Sequence, residues 1–382
     1  MIFSSMTTSP TATEAIAPAS SRLPRLLAFL DTDPDNLLLR ADAFETALQA
    51  GAFDIARAQL DAAHATMPAV PSPEWLMREA NLEIAQFRFE HAEALLLSMQ
   101  NAFGHHPAIS QNLGFIALHR GQAEACLDLL AEWAEVSPAS PVPPSLQALW
   151  LRALHHLGQL ERALDWARRR QASGGLQPEA QGVASLLALD ANETVLAKSW
   201  AEQALAAQPM LHEAMLTHAT LLLGERNSAA AKDIALGILA HHPHSGRAWS
   251  TLGLAQMLDM NLLSARPSLE QAVRWMPGHV GTWHGLAWAC FLTKDYAGAQ
   301  HAFEEALARN HNFSETHGGL AAIAAATGQR AAAEEHLRRA FGLDERCMTA
   351  QYARAMLDGV LGDEKAIHAL ARKIMRQAGP AQ

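Results

Sequence analysis

Residues 244 to 279, HSGRAWSTLGLAQMLDMNLLSARPSLEQAVRWMPGH, run straight on into residues 280 to 313, VGTWHGLAWACFLTKDYAGAQHAFEEALARNHNF. Trp249 and Trp283 stand 34 residues apart, as do Leu252 and Leu286, Ala265 and Ala299, Leu269 and Phe303, and Ala272 and Ala306. Aromatic, small and aliphatic residues that each keep their place at one period mark a helical repeat. If a first helix spans about fourteen residues and a second the next fourteen, Trp249 and Leu252 share one face of the first, with Leu269 and Ala272 opposite on the second. Gly253 and Ala265 are small where the two helices come closest. Pro277 lies just past the second helix, where its missing N–H does no harm and its ring stops the helix.

The places Trp249, Leu252, Gly253, Ala265, Leu269, Ala272 and Pro277 resemble those of the tetratricopeptide repeat, a pair of antiparallel helices. The resemblance implies an all-α chain wound as a right-handed α-solenoid. One such pair cannot bury its own apolar face, so the rest of the chain should supply neighbours to stack on it.

The remainder fits that expectation. Ala163, Ala197, Ala231, Ala265, Ala299 and Ala333 are each 34 apart, as are Pro209, Pro243 and Pro277. Units are predicted to start at 37, 73, 107, 144, 178, 212, 246, 280, 314 and 348, about ten in all, after an N-terminal half repeat that ends near Phe29, Leu30 and Pro34. Pro68, 34 residues after Pro34, and Pro138 take terminating places, and Cys126 stands where a small residue is needed. Residues 1–20, rich in Ser, Thr, Ala and Pro, are expected to be a disordered tail. Residues 21–140 then hold the capping helix and units one to three, and 141–382 hold units four to ten. Between these spans lies SPASPVPPS, residues 137–145, whose four prolines cannot continue a helix and mark the expected kink. Lys365, Arg372, Lys373 and Arg376 give the last second helix the polar face a terminal cap requires.

Composition limits the function. The chain has 382 residues, 49% of them hydrophobic, and a net charge of −10. Phosphate contacts need clustered Lys and Arg, so nucleic acid is not an expected partner. Cys126, Cys290 and Cys347 form no CxxC pair, which suits a reducing compartment. The N-terminus has no basic and apolar leader pattern, and no run of eighteen apolar residues lacks a charge, so the expected location is cytoplasmic with no membrane span.

Catalytic motifs are missing. HEAML at 212–216 has Leu216 where HExxH needs its second ligand, and no phosphate loop, GxSxG elbow or strand followed by GxGxxG occurs. His105 and His106, His155 and His156, and His241, His242 and His244 could hold a metal in principle, but the last group sits at an inter-repeat turn where exposed histidine is ordinary. No cofactor and no enzymatic activity are expected.

In the repeat that this chain resembles, the fifth, ninth and twelfth residues of each first helix line the concave surface. Here they are Ser250, Leu254 and Met257, then His284, Trp288 and Phe291, then Gly318, Ala322 and Ala325, then Tyr352, Met356 and Gly359. None is formally charged, so the set reads as an apolar trough with aromatic walls and a Gly-Ala floor. The predicted groove residues are therefore Leu254, Met257, His284, Trp288, Phe291, Gly318, Ala322, Tyr352 and Met356. The Lys, Asn and Arg clamp with which chaperone-docking members of that family hold a peptide carboxylate is not matched, since units three and four offer only Gln111, Asn112, Arg152 and His155. The resemblance implies a non-catalytic adaptor that holds a protein or peptide segment by apolar and aromatic contacts. The alternatives are a specialised chaperone or assembly factor for a secretion or cell-surface system, and an enzyme accessory or metal-binding subunit that uses the histidine pairs.

Overall fold

The computed structural model describes residues 19–66, 72–137 and 140–359, which form twenty helices and, among those residues, no strand. Pro68, Pro138, the expected tail up to residue 18 and the second helix of the last repeat lie outside the described residues. Packing divides the chain into two compact units, Met1–Glu193 and Thr194–Gln382.

In the first unit α1 (Ala19–Thr32) is the half repeat. It is followed by α2 (Leu37–Gln49) with α3 (Phe53–Thr66), α4 (Pro73–Ala85) with α5 (Phe89–Phe103), α6 (Pro107–His119) with α7 (Ala123–Ala134), α8 (Pro144–His156) with α9 (Leu160–Ala172), and α10 (Pro178–Asp190). The second unit opens on α11 (Thr194–Ala207). It continues with α12 (His212–Gly224) and α13 (Ser228–His241), α14 (Gly246–Leu258) and α15 (Leu262–Trp275), α16 (Val280–Leu292) and α17 (Tyr296–Arg309), α18 (Ser314–Ala326) and α19 (Arg330–Leu343), and α20 (Met348–Leu357). All ten first helices begin at the residue the period predicts.

Local chemistry fixes those starts. Pro73, Pro107, Pro144 and Pro178 open four of the first helices, where the ring suits the helical φ and no N–H is missed. Asn36 and His279 cap the first helices α2 and α16 through a side-chain acceptor, and Asn227 and Asp295 do the same for the second helices α13 and α17. The period then governs the packing, because Ala163, Ala197, Ala231, Ala265, Ala299 and Ala333 are all fully buried. A Cβ placed on Gly253 would meet Leu269 Cγ at 2.6 Å, which locates the closest approach of α14 and α15 where the sequence put it. Trp249 and Trp283 do more than pack: their indole N–H groups donate to the carbonyls of Pro243 and Pro277, at 2.9 and 2.8 Å. Each tryptophan thus ties its repeat to the proline that ends the one before.

The turn inside each repeat needs one residue in the left-handed region. Gly121, Gly158 and Gly328 fill it without cost, but Phe87, Asn192, Arg226, Met260 and Lys294 hold φ between 58° and 65° at the equivalent places. The proline-rich connector is bound down on both sides of residues 138 and 139. Arg170, 3% exposed, donates to the carbonyls of Ala134, Val136 and Ser140, and Gln147 donates to those of Val142 and Gly175. The described residues on either side of 138 and 139 are thus held by side chains of α8 and α9.

Two substitutions should move stability in opposite directions. Ala265→Leu overpacks a sealed contact and should cost about 1–3 kcal/mol. Met260→Gly relieves a left-handed residue that is 69% exposed, and should gain about 0.5–1 kcal/mol after the added freedom of the unfolded chain is counted. Denaturant unfolding of both variants checks the signs; equal effects would mean the register is misplaced.

Candidate partner-binding face

The predicted groove residues come from α14, α16, α18 and α20, all in the second unit. Leu254, Met257, His284, Trp288, Tyr352 and Met356 are partly exposed, and none carries a formal charge. Trp288 is the hub. Its ring meets Phe291 at 5.3 Å, Phe303 at 5.7 Å and Tyr352 at 6.1 Å, each edge to face, the arrangement that ring quadrupoles favour. Met257 and Met356 pack against the same cluster.

Three residues do not lie where the trough was expected to open. Phe291 is 7% exposed, Ala322 is fully buried, and Gly318 is buried beneath α20. The reason is the missing side chain at Gly318. A Cβ there would fall 2.0 Å from Thr349 Oγ1 and 2.6 Å from the Ala350 backbone nitrogen, so α20 sits almost on the backbone of α18. The small residues are the seat of α20 rather than a bare floor. With no bulk between them, rings from α16 and α20 meet across α18, and Phe291 comes within 6.4 Å of Tyr352.

His284 is held as firmly. Its Nε2 lies 2.7 Å from Thr316 Oγ1, and its ring stands edge to face with Phe303 and Phe313. Burial among these rings pushes its pKa from the ordinary 6.5 down to about 4, against a weaker upward pull from Glu315. Burial also lowers His317 and His336, whose Nδ1 atoms lie 3.4 Å apart.

Several of the other residues singled out in the sequence have local partners. Cys126, Cys290 and Cys347 are buried, and desolvation pushes the Cys126 thiol up to about 12, where it is not a nucleophile at neutral pH. His106 caps α6, His155 lies 2.7 Å from Asp190, His242 packs on His212, and His244 packs on Trp275. Among the described residues no three His, Cys, Asp or Glu side chains gather as metal ligands. Asn112 donates to Asn81, Ser145 to Gln111 and Arg152 to Glu179, so the polar groups of units three and four bond to neighbouring helices. Among the described residues no helix is long and apolar enough to cross a membrane.

Sequence reasoning missed an aromatic cluster in the first unit. Phe87 and Phe115 are 69% and 42% exposed, and with Phe89 they surround His119 at ring distances of 4.8–6.0 Å. The available signal was Phe87 itself, a bulky residue at a turn position that holds glycine elsewhere.

The histidines make stability depend on pH. A histidine whose folded pKa lies below its unfolded value leaves the unfolded state binding more protons between the two, so stability is full above about pH 6.5 and falls toward pH 4. The melting temperature should therefore drop between about pH 7 and pH 5, and less steeply in His284→Gln, which keeps a polar atom for Thr316. An identical drop in the variant would remove His284 as a contributor.

No protein-family model matches the chain, and no curated protein matches it in sequence. Solved structures do match. A monomeric IFIT1 mutant with m7Gppp-AAAA aligns over 95% of this chain and 89% of its own, at TM-score 0.53 and 16% identity. The human IFIT1 dimer with m7Gppp-AAAA aligns over 95% and 94%, at TM-score 0.52 and 15% identity. The human IFIT1 dimer with PPP-AAAA covers 96% of each chain, at TM-score 0.52 and 14% identity. At such identity the likeness is one of fold, and together with ten first helices in register it makes this chain an all-α multi-repeat solenoid of the tetratricopeptide type.

Proposed function

We propose that the chain is a non-catalytic scaffold that holds a segment of another protein against the face formed by Leu254, Met257, His284, Trp288, Tyr352 and Met356. One observation carries this reading: a cluster of partly exposed aromatic and methionine side chains without a formal charge, in a chain of net charge −10. Such a face favours an apolar or aromatic polypeptide segment. Phosphate recognition would instead call for guanidinium and ammonium groups, so nucleic acid is the less suited occupant even though the IFIT1 structures hold capped or triphosphorylated RNA. Aromatic anchors often dominate such contacts, and methionine adapts to irregular partners.

Phe291 belongs to the core and is the wrong residue to truncate as a probe, since Phe291→Ala should cost about 3–5 kcal/mol of stability. Trp288→Ala combined with Tyr352→Ala is the better test. Both rings are partly exposed, so the helical circular dichroism should stay close to that of the parent. Capture of protein partners from host extract should fall by at least about thirtyfold, corresponding to roughly 2 kcal/mol, and should resist added salt. Undiminished capture by a folded double variant would place the binding face elsewhere.

A further inference from the structure

A cavity of about 250 Å³ lies in the first unit, where the end of α7 meets α8 and α9. Two indoles, Trp150 and Trp166, form its walls, and Arg162, Arg169, Arg170 and Glu135 supply its charge. Three guanidinium groups against one carboxylate make a cationic hollow in an acidic chain. It shares no residue with the face described above.

Most of the polar groups in this hollow are engaged. Arg170 holds the carbonyls of Ala134, Val136 and Ser140. Trp166 Nε1 donates to the Ala134 carbonyl at 3.0 Å. Arg162 lies 5.3 Å from the centre of the Trp150 ring and pairs with Glu135. Arg169 Nε donates to the Asp165 carbonyl at 3.3 Å, and the side chain stands at the exposed rim. Trp150 is the exception: the residue is 1% exposed, and its Nε1 has no acceptor. Buried donors without acceptors are rare because each forfeits its hydration for nothing.

We infer that this hollow binds a carboxylate carried on a short apolar stem. Once the exposed Arg162 side chain moves off the Trp150 ring, the carboxylate would accept from Trp150 Nε1 and pair with Arg169, and the stem would lie against the two indoles. The volume supports a stem as well as a head, since a cavity of about 150 Å³ already holds benzene. A bare inorganic anion would leave the aromatic walls unfilled. The same chemistry can arrive as a free small carboxylic acid or as a glutamate side chain of a partner polypeptide.

The test follows the indole ¹H–¹⁵N resonance of Trp150 in the full chain, assigned by its loss in Trp150→Phe, while butyrate, N-acetylglutamate methylamide and inorganic phosphate are titrated. Both acids should move the resonance saturably and phosphate should bind distinctly more weakly. Arg169→Gln should weaken acid binding about tenfold, the effect of one lost charge-assisted hydrogen bond. Glu135→Gln should tighten it, because it frees Arg162 for the ligand. Tighter binding of butyrate points to a free acid, and tighter binding of the blocked glutamate points to a partner side chain. A Trp150 resonance indifferent to both acids, phosphate binding as tightly as they do, or affinities unchanged in Arg169→Gln and Glu135→Gln would each overturn the inference. Arg169 and Glu135 are exposed, so both variants should fold, and their circular dichroism checks this.

Discussion

The structure depends on how closely the two helices of each repeat can approach. At Ala163, Ala197, Ala231, Ala265, Ala299 and Ala333 the second helix presents only a methyl group, fully buried. One turn later Leu269, Phe303 and Leu337, also 34 residues apart and fully buried, fill the space so created. A larger residue at the alanine would push the pair apart, and every apolar contact set by their separation would loosen with it. The following helix makes room for either filler with a glycine, Gly285 beside Leu269 and Gly319 beside Phe303.

That same economy of volume shapes the proposed binding face. On α18 the small residues continue to the buried Gly318, Ala321 and Ala322, and the next first helix descends onto Gly318. Tyr352 of α20 then reaches Trp288 and Phe291 of α16. Each ring loses part of its exposure to another ring, so the cluster is rigid as well as apolar. Preorganised aromatic surface loses little entropy on binding, which is what a recognition face gains from such an arrangement.

Much of this was legible in the sequence. The starts of the first helices follow from the 34-residue period, because a repeat that packs only on its neighbours must keep its contact positions in phase. The turn residues were only half legible. Gly121 announces a left-handed turn, whereas Met260 and Lys294 adopt the same φ because packing on both sides overrides their local preference. Direction along a helix is likewise periodic, which is why the partly exposed Trp288 and Tyr352 were found. Distance between helices is not periodic. That Gly318 would admit α20, and so bury Phe291 and Ala322, depends on two successive repeats fitting together, and no spacing along one helix encodes it. Trp150 was opaque for the same reason: its missing acceptor is a property of three helices and a connector.

In both units polar and apolar contacts join successive first helices, and the aromatic share is larger in the second. In the first, polar groups bond from helix to helix: Arg78 with Glu45, Asn112 with Asn81, Ser145 with Gln111, Arg152 with Glu179. In the second, His284 bonds to Thr316 and the Glu315 carboxylate accepts from the backbone of Met348 and Thr349, and beside these stand Leu254 against Gly285 and the rings around Trp288. Directional hydrogen bonds fix one arrangement and leave little surface for a partner, since each donor and acceptor is already used. Apolar contacts are non-directional, and their unburied remainder keeps its full value for a second partner that covers it. The unburied remainder around Trp288 is therefore surface that a partner could cover, which is why the charge-free positions from Leu254 to Met356 of the proposed face are the ones to test.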